Sequence, residues 1–124
     1  MSDNSNPVTH KLVDAISDAF NSNDIDQVMF FFADDAVFDH AAGPDIHGTS
    51  YIGADAIRAV FGNMFERVES VKWETLDTRI EGNKAICQYR RTATFSSGKI
   101  QDCKTVDILT FCDDKIIHKD TYFK

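Results

Sequence analysis

Two short stretches of the sequence place ionisable side chains beside apolar ones, the setting in which proteins move protons. The first is AVFDH, in which Asp39 and His40 end a strand-like run before a loop that contains Gly and Pro. The second is KTVDILTF, in which Asp107 lies between hydrophobic residues. A carboxyl group on a covered sheet face loses water and favours its neutral form, and histidine titrates near neutral pH. These residues are therefore candidates for acid–base catalysis.

Each candidate also has a plain structural explanation. Asp107 could lie on an open sheet face and pair with an arginine such as Arg90 or Arg91. His40 could be a solvated strand end with a hydrogen-bonded imidazole. The sequence leaves the role of Asp107 open and favours the structural explanation for His40.

Other kinds of chemistry find little support. A metal site would have to gather His40, Asp45 and His47, whose loop spacing matches no rigid ligand motif, so no metal is predicted. Cys103 is expected to be a buried thiol, because Lys104 points to the opposite face of the same strand. There is no nucleophile elbow, phosphate-binding glycine loop or dinucleotide motif, and no cofactor is predicted.

Composition narrows the class of partner and the compartment. The net charge of −7 argues against nucleic acid and against anionic membrane surfaces, since phosphate binding needs clustered Lys and Arg. No segment approaches the roughly 18 apolar residues of a membrane span. Three cysteines without paired spacing and a start without an apolar leader favour a cytoplasmic location.

Hydrophobic periodicity predicts three helices followed by an antiparallel meander, with one early strand at AVFDH. The pattern indicates an α+β fold in which helices cover one face of a curved sheet. Residues 1–7 are read as a flexible arm and residues 8–124 as one domain. The predicted helices cover residues 8–21, 24–33 and 52–68, and the later strands cover residues 70–80, 84–95, 104–111 and 116–123.

Three segments in a fixed order carry a family resemblance: NSNDIDQVMFFFADDAVF, HG…YIGADAIRAVF and VDILTF…DKIIHKDTYF. Together they resemble the NTF2-like superfamily, in particular its SnoaL-like and ketosteroid-isomerase-like branch, over residues 8–124. The resemblance implies the NTF2-like (cystatin-like) cone, in which three helices pack on a strongly curved, mainly antiparallel sheet around an apolar pocket. It also implies a homodimer formed through the outer face of the sheet.

The resemblance assigns roles to single positions. Ketosteroid isomerases carry a base aspartate, an oxyanion tyrosine and an oxyanion aspartic acid, and the matching residues here are His40, Ile16 and Asp107. Because only Asp107 is retained, SnoaL-like cyclases, which use a pocket aspartate with histidine support, are the nearer chemical parallel. The pocket lining implied by the resemblance comprises Ile16, Phe20, Phe61, Phe65, Leu109, Lys119 and Phe123.

Two functions follow. In the first, the protein binds a small apolar carbonyl compound, and Asp107 and His40 exchange protons with it as in an isomerase or polyketide cyclase. In the second, it is a ligand-binding or dimeric interaction module without catalysis. Strand alternation turns Ile117, Lys119, Thr121 and Phe123 inward. If Lys119 pairs with Asp107, the carboxylate stays charged and the pocket becomes a binder of anions or carbonyl groups.

Overall fold

The computed structural model describes residues 7–45 and 48–124, which form three helices and one six-stranded sheet. Most of the predicted arm over residues 1–7, and His47, lie outside the described residues. The helices are α1 (His10–Asn21), α2 (Ile25–Met29) and α3 (Ala54–Arg67). The strands are β1 (Phe32–Asp45), β2 (Gly48–Ile52), β3 (Val68–Glu81), β4 (Lys84–Phe95), β5 (Ile100–Cys112) and β6 (Lys115–Phe123).

The sheet has the strand order β2-β1-β6-β5-β4-β3. All neighbouring strands are antiparallel except β1 and β6, which pair in parallel, with Phe38 opposite Lys119 and Asp39 opposite Asp120. The predicted α+β class with a curved, mainly antiparallel sheet and three helices is therefore confirmed. The parallel pair joins the early strand to the last one and brings distant parts of the chain together.

The first two helices begin at side-chain caps. The Thr9 hydroxyl accepts a hydrogen bond from the amide of Leu12 at 3.1 Å, and Asp24 caps α2 in the same way. The helix predicted over residues 24–33 is wrong beyond α2, because Phe32 already pairs with Ile116 in the sheet. The aromatic run that the sequence suggests as helix thus supplies the start of β1.

An additional strand and a register shift in β6 depart from the predicted strands and their alternation. Strand β2 occupies a segment read as loop, and it pairs with β1 so that His40 lies opposite Thr49. In β6 the register shifts: Thr110 faces His118, but Phe111 faces Ile116. One extra residue there makes Ile116 fully buried in place of Ile117, so the inward position expected for Ile117 is wrong. Beyond the bulge, the predicted alternation holds.

The core lies between the helices and the inner face of the sheet. Helix α1 packs against β3, and α3 packs against β1. No helix in the described ranges has the length and apolarity that a membrane crossing requires. The largest fully buried side chains are Phe38, Phe111, Ile57, Ile116, Val13, Val28 and Cys87.

Candidate functional site

A cavity of about 460 Å³ opens between the helices and the inner face of the sheet. Helices α1 and α3 contribute apolar side chains, among them Ile16, Phe20 and Phe61. The sheet adds Phe38 and Leu109 to this wall. The volume lies within the range of small-molecule sites in proteins.

A polar cluster of Asp107, Lys119 and Thr121 lies on the sheet side of this cavity. The ammonium group of Lys119 lies 3.1 Å from Oδ1 of Asp107 and 2.5 Å from Oγ1 of Thr121. The Thr121 hydroxyl donates to the same Oδ1 at 2.6 Å. The cluster arises because Asp107 faces Thr121 across β5 and β6, and Lys119 is the next inward residue of β6. We call these three residues the Asp107 cluster.

The Asp107 cluster is shielded from water. The side chains of Lys119 and Asp107 are 7% and 11% exposed. The Lys119 ammonium also lies 4.7 Å from the ring centre of Phe38 and within 6 Å of those of Phe20 and Phe61. The attraction between two buried charges of opposite sign in hydrogen-bonding contact offsets part of the free energy lost with their hydration. The ion pair left open by the sequence is therefore present, and Lys119 is the counter-charge of Asp107.

His40 lines the same cavity, from β1. Strand alternation places it on the face of Phe38, whose ring centre is 5.4 Å from the imidazole. Phe38 in turn faces Lys119 across β1 and β6. The structure thus brings both predicted catalytic residues to one cavity, while the direct partners of Asp107 are Lys119 and Thr121.

Strand β4 carries neutral hydrogen-bond donors beside the ion pair. The hydroxyl of Tyr89 is 2.7 Å from that of Ser17 on α1. Burial raises the pKa of Tyr89 above its usual value, so the phenol stays protonated at neutral pH. Burial also raises the pKa of Cys87, which faces Asp107 across β4 and β5, to about 11. Tyr89 and Ser17 line the cavity and add hydrogen-bonding capacity without adding charge, whereas Cys87 is fully buried and does not belong to the lining.

A second cationic group, Arg91, lines the cavity two residues further along β4. Its Nη1 donates to Oε1 of Gln101 at 2.5 Å, and Nη2 contacts the sulfur of Met64 at 3.5 Å. The guanidinium carbon lies 5.4 Å from the ring centre of Trp73. Burial lowers the pKa of Arg91. Arg91 is half-buried.

The sequence left open an ion pair between Asp107 and an arginine such as Arg90 or Arg91, but the ion-pair partner of Asp107 is Lys119. Arg90 projects from the outer face of the sheet and forms an ion pair with Asp102 at 2.7 Å. Among the described residues, Thr105 carries the one fully buried side-chain oxygen without a hydrogen-bond partner, and it too lines the cavity.

Six of the seven residues expected in the pocket lining do line the cavity: Ile16, Phe20, Phe61, Leu109, Lys119 and Phe123. Phe65 does not line the cavity; it is partly buried and packs against the core.

Tyr89, Arg91 and Thr121 line the cavity but were not predicted to belong to the site. Strand alternation turned Thr121 inward, and the same alternation puts Tyr89 and Arg91 on one face of β4, so it could have identified both. Among the described residues, no group of possible metal ligands occurs. His47 lies outside these residues.

Comparisons with known proteins agree on the architecture. The family model for the SnoaL-like domain matches residues 13–119. The comparison with curated proteins gives no match.

Three similar solved structures illustrate the fold. An NTF2-like protein of unknown function from Burkholderia pseudomallei is 19% identical, with a TM-score of 0.80 over 100% of this chain and 92% of the other. A provisionally assigned polyketide cyclase from Sinorhizobium meliloti is 21% identical, with a TM-score of 0.75 over 92% and 95%. A protein with a ketosteroid-isomerase-like fold from Catenulispora acidiphila, solved with trimethylamine, is 16% identical, with a TM-score of 0.79 over 93% and 86%. Such identities show a shared fold.

Proposed function

The chain belongs to the SnoaL-like domain family, and we propose that it binds a small, mainly apolar molecule carrying a carbonyl group in its cavity. The observation that supports this most directly is the Asp107 cluster on the wall of an otherwise largely apolar space. Apolar walls with a few convergent polar groups are typical of small-molecule sites, in which the polar groups fix the orientation of the ligand. The ligand's hydrocarbon part would contact Phe20, Phe61 and Leu109.

Lys119 is the group suited to hold the carbonyl oxygen. An ammonium group has three N–H donors, and Asp107 and Thr121 accept from two directions. The remaining N–H can donate to a carbonyl oxygen of the ligand. Such a charge-assisted hydrogen bond in a water-poor cavity is stronger than one between neutral groups.

Proton transfer beside that carbonyl is a second candidate function, favoured by two observations. Among the described residues, both hydrogen bonds accepted by Asp107 end on Oδ1, so Oδ2 can receive a proton from the carbon next to the carbonyl. Lys119 would then stabilise the negative charge that develops on the carbonyl oxygen. His40 lines the same cavity and could return the proton. Binding remains the first proposal because Asp107 already accepts hydrogen bonds from the Lys119 ammonium and the Thr121 hydroxyl.

Trp73 offers a direct test of binding, because it is the only tryptophan of the chain and lines the cavity. We expect undecanone to change its fluorescence with a lower Kd than undecene, which lacks the carbonyl. Lys119→Met and the milder Thr121→Val should both reduce this preference, whereas Lys104→Met, an exposed change on β5, should not. Equal affinity for the two probes would refute carbonyl recognition, and no response to either would refute binding.

A separate measurement decides whether chemistry takes place. If Asp107 abstracts a proton, the hydrogens next to the carbonyl of undecanone will exchange with D2O faster than in buffer, as followed by NMR. Asp107→Asn should abolish this exchange and His40→Ala should slow it, whereas Asp102→Asn on the outer face should leave it unchanged. Equal rates for the wild type and Asp107→Asn would refute proton transfer and leave binding intact.

The outer-face homodimer and the cytoplasmic location remain predictions. Exposed Ile86 and Tyr122 lie on the outer side of the sheet and would be covered in such a dimer.

A further inference from the structure

The charges that line the cavity differ in sign from those of the chain as a whole. The sequence carries a net charge of −7, yet the Lys, Arg, Asp and Glu residues of the lining are three cations and one carboxylate. Lys119 is neutralised by Asp107. Arg67 is exposed on α3 at the edge of the cavity, and Arg91 is half-buried inside it. The cavity therefore has an excess of positive charge.

Arg91 is the cation whose surroundings are most unusual. A guanidinium withdrawn from water is normally paired with a carboxylate, because burying a charge without a counter-charge is unfavourable. The ion pairs of the described residues give Arg91 no such partner. Its hydrogen bonds go to neutral acceptors, namely the amide oxygen of Gln101, the thioether of Met64 and the thiol of Cys103. With five N–H donors, it can bind an anion in addition.

The hydroxyl of Thr105 provides a second, independent observation. Thr105 is 5% exposed, lines the cavity and has no hydrogen-bond partner for its hydroxyl. Buried hydroxyl groups normally have a hydrogen-bond partner, so the Thr105 hydroxyl is available to a ligand that enters the cavity. Across β4 and β5, Thr105 faces Tyr89 and Arg91 faces Cys103. The Thr105 hydroxyl and the Arg91 guanidinium therefore occupy adjacent inward positions of the sheet.

We propose that Arg91, with Thr105 beside it, binds a carboxylate group of the ligand, so that the natural ligand is a keto acid. This inference rests on the proposed binding function and adds the chemical class of the ligand. A carboxylate suits the site because its two oxygens match the fork of N–H groups on a guanidinium. The carbonyl end of the same molecule would lie at the Asp107 cluster, and the apolar side chains would contact the part between.

The sheet sets the distance between the two ends. Arg91 faces Cys103 and Asp107 lies four residues further along β5, which corresponds to about 13 Å at the rise of a strand. Because both side chains extend into the cavity, we expect roughly 10 to 13 Å between the ligand's carboxylate and its ketone. An oxoundecanoate with the ketone on its penultimate carbon spans this distance when extended.

The experiment compares that oxoundecanoate with its uncharged methyl ester by titration of the Trp73 fluorescence. We expect the acid to bind about ten- to a hundredfold more tightly than the ester, the usual range for a charged hydrogen-bonded pair. Arg91→Met, which keeps an unbranched side chain of similar reach, should remove most of this preference. Arg91→Lys should retain part of it, and Thr105→Val should reduce it.

The neighbouring change Arg90→Met serves as the matched control, since Arg90 is exposed on the outer face. It should leave both affinities unchanged, and thermal melts should show that all variants fold. Equal binding of acid and ester by the wild type, or a preference that survives in Arg91→Met, would overturn the keto-acid inference while the ketone site stands. If neither probe nor undecanone binds, the inference and the proposed function fail together.

Discussion

Replacing Lys119 with Met tests whether the ion pair at the Asp107 cluster is as water-poor as its geometry indicates. At the observed 3.1 Å, two unit charges attract by about 5 kcal/mol at an effective dielectric constant of 20. Loss of hydration offsets part of this attraction in the wild type. In Lys119→Met the carboxylate of Asp107 stays buried without a counter-charge, and we expect unfolding to become easier by about 3 to 5 kcal/mol.

The assay is a double-mutant cycle of Lys119→Met and Asp107→Asn, with the free energy of unfolding measured by urea denaturation. Since the double variant has no buried charge at this point, it should be less destabilised than the sum of the single changes, by about 2 to 4 kcal/mol. The same cycle on the exposed pair Arg90 and Asp102 serves as the reference, and its coupling should be much smaller.

A coupling energy below about 0.5 kcal/mol, as for exposed ion pairs, would refute the reasoning. It would mean that water reaches Lys119 and Asp107 freely. The carbonyl-binding proposal, which relies on a water-poor Lys119, would then lose its basis.

Four further predictions concern other parts of the fold. Because burial raises the pKa of the Cys87 thiol from 9.0 to about 11, the unfolded chain loses this proton first. The contribution of the neutral Cys87 thiol to the free energy of unfolding should thus be intact below pH 9 and be lost as pH rises toward 11. Urea titrations in which the free energy of unfolding does not fall over this range would contradict the prediction. Gly62→Ala should stabilise the protein by up to about 1 kcal/mol, since no atom crowds a Cβ there. Gly48→Ala should destabilise it by more than about 2 kcal/mol, because Gly48 has a φ of +78° and a Cβ would lie 1.8 Å from the His40 carbonyl oxygen. Equal melting temperatures for Gly62→Ala and Gly48→Ala would contradict both predictions. If the outer sheet face forms the homodimer, Ile86→Lys should give a monomer in light scattering, whereas a wild-type monomer would refute that interface.

Period-two alternation explains why the meander could be predicted well. In KTVDILTF, alternation puts Asp107 and Leu109 on one face, and both are buried on the inner side of the sheet. Strand β4 was predicted with its observed ends, because turn residues flank an alternating run. Local pattern was sufficient there because every strand from β3 onward pairs with its sequence neighbour.

The errors arise where a long-range contact decides the local structure. The run around Phe32 has helical spacing, but pairing with Ile116, far along the chain, makes it a strand. The bulge near Ile117 depends on how β5 and β6 meet and leaves no mark in the sequence. Lys119 could be assigned an inward direction, but its pairing with Asp107 follows from the register between strands, which only the structure supplies.

The position of β6 between β1 and β5 has a consequence for how the protein folds. Pairing of Phe38 with Lys119 closes a loop of about eighty residues, and contacts at such separations form late and slowly. A partly folded form in which β6 has detached would expose the edges of β1 and β5, and its cavity would lack Lys119. Ligand should therefore slow the fraying of β6, and hydrogen exchange of its amides would record that protection.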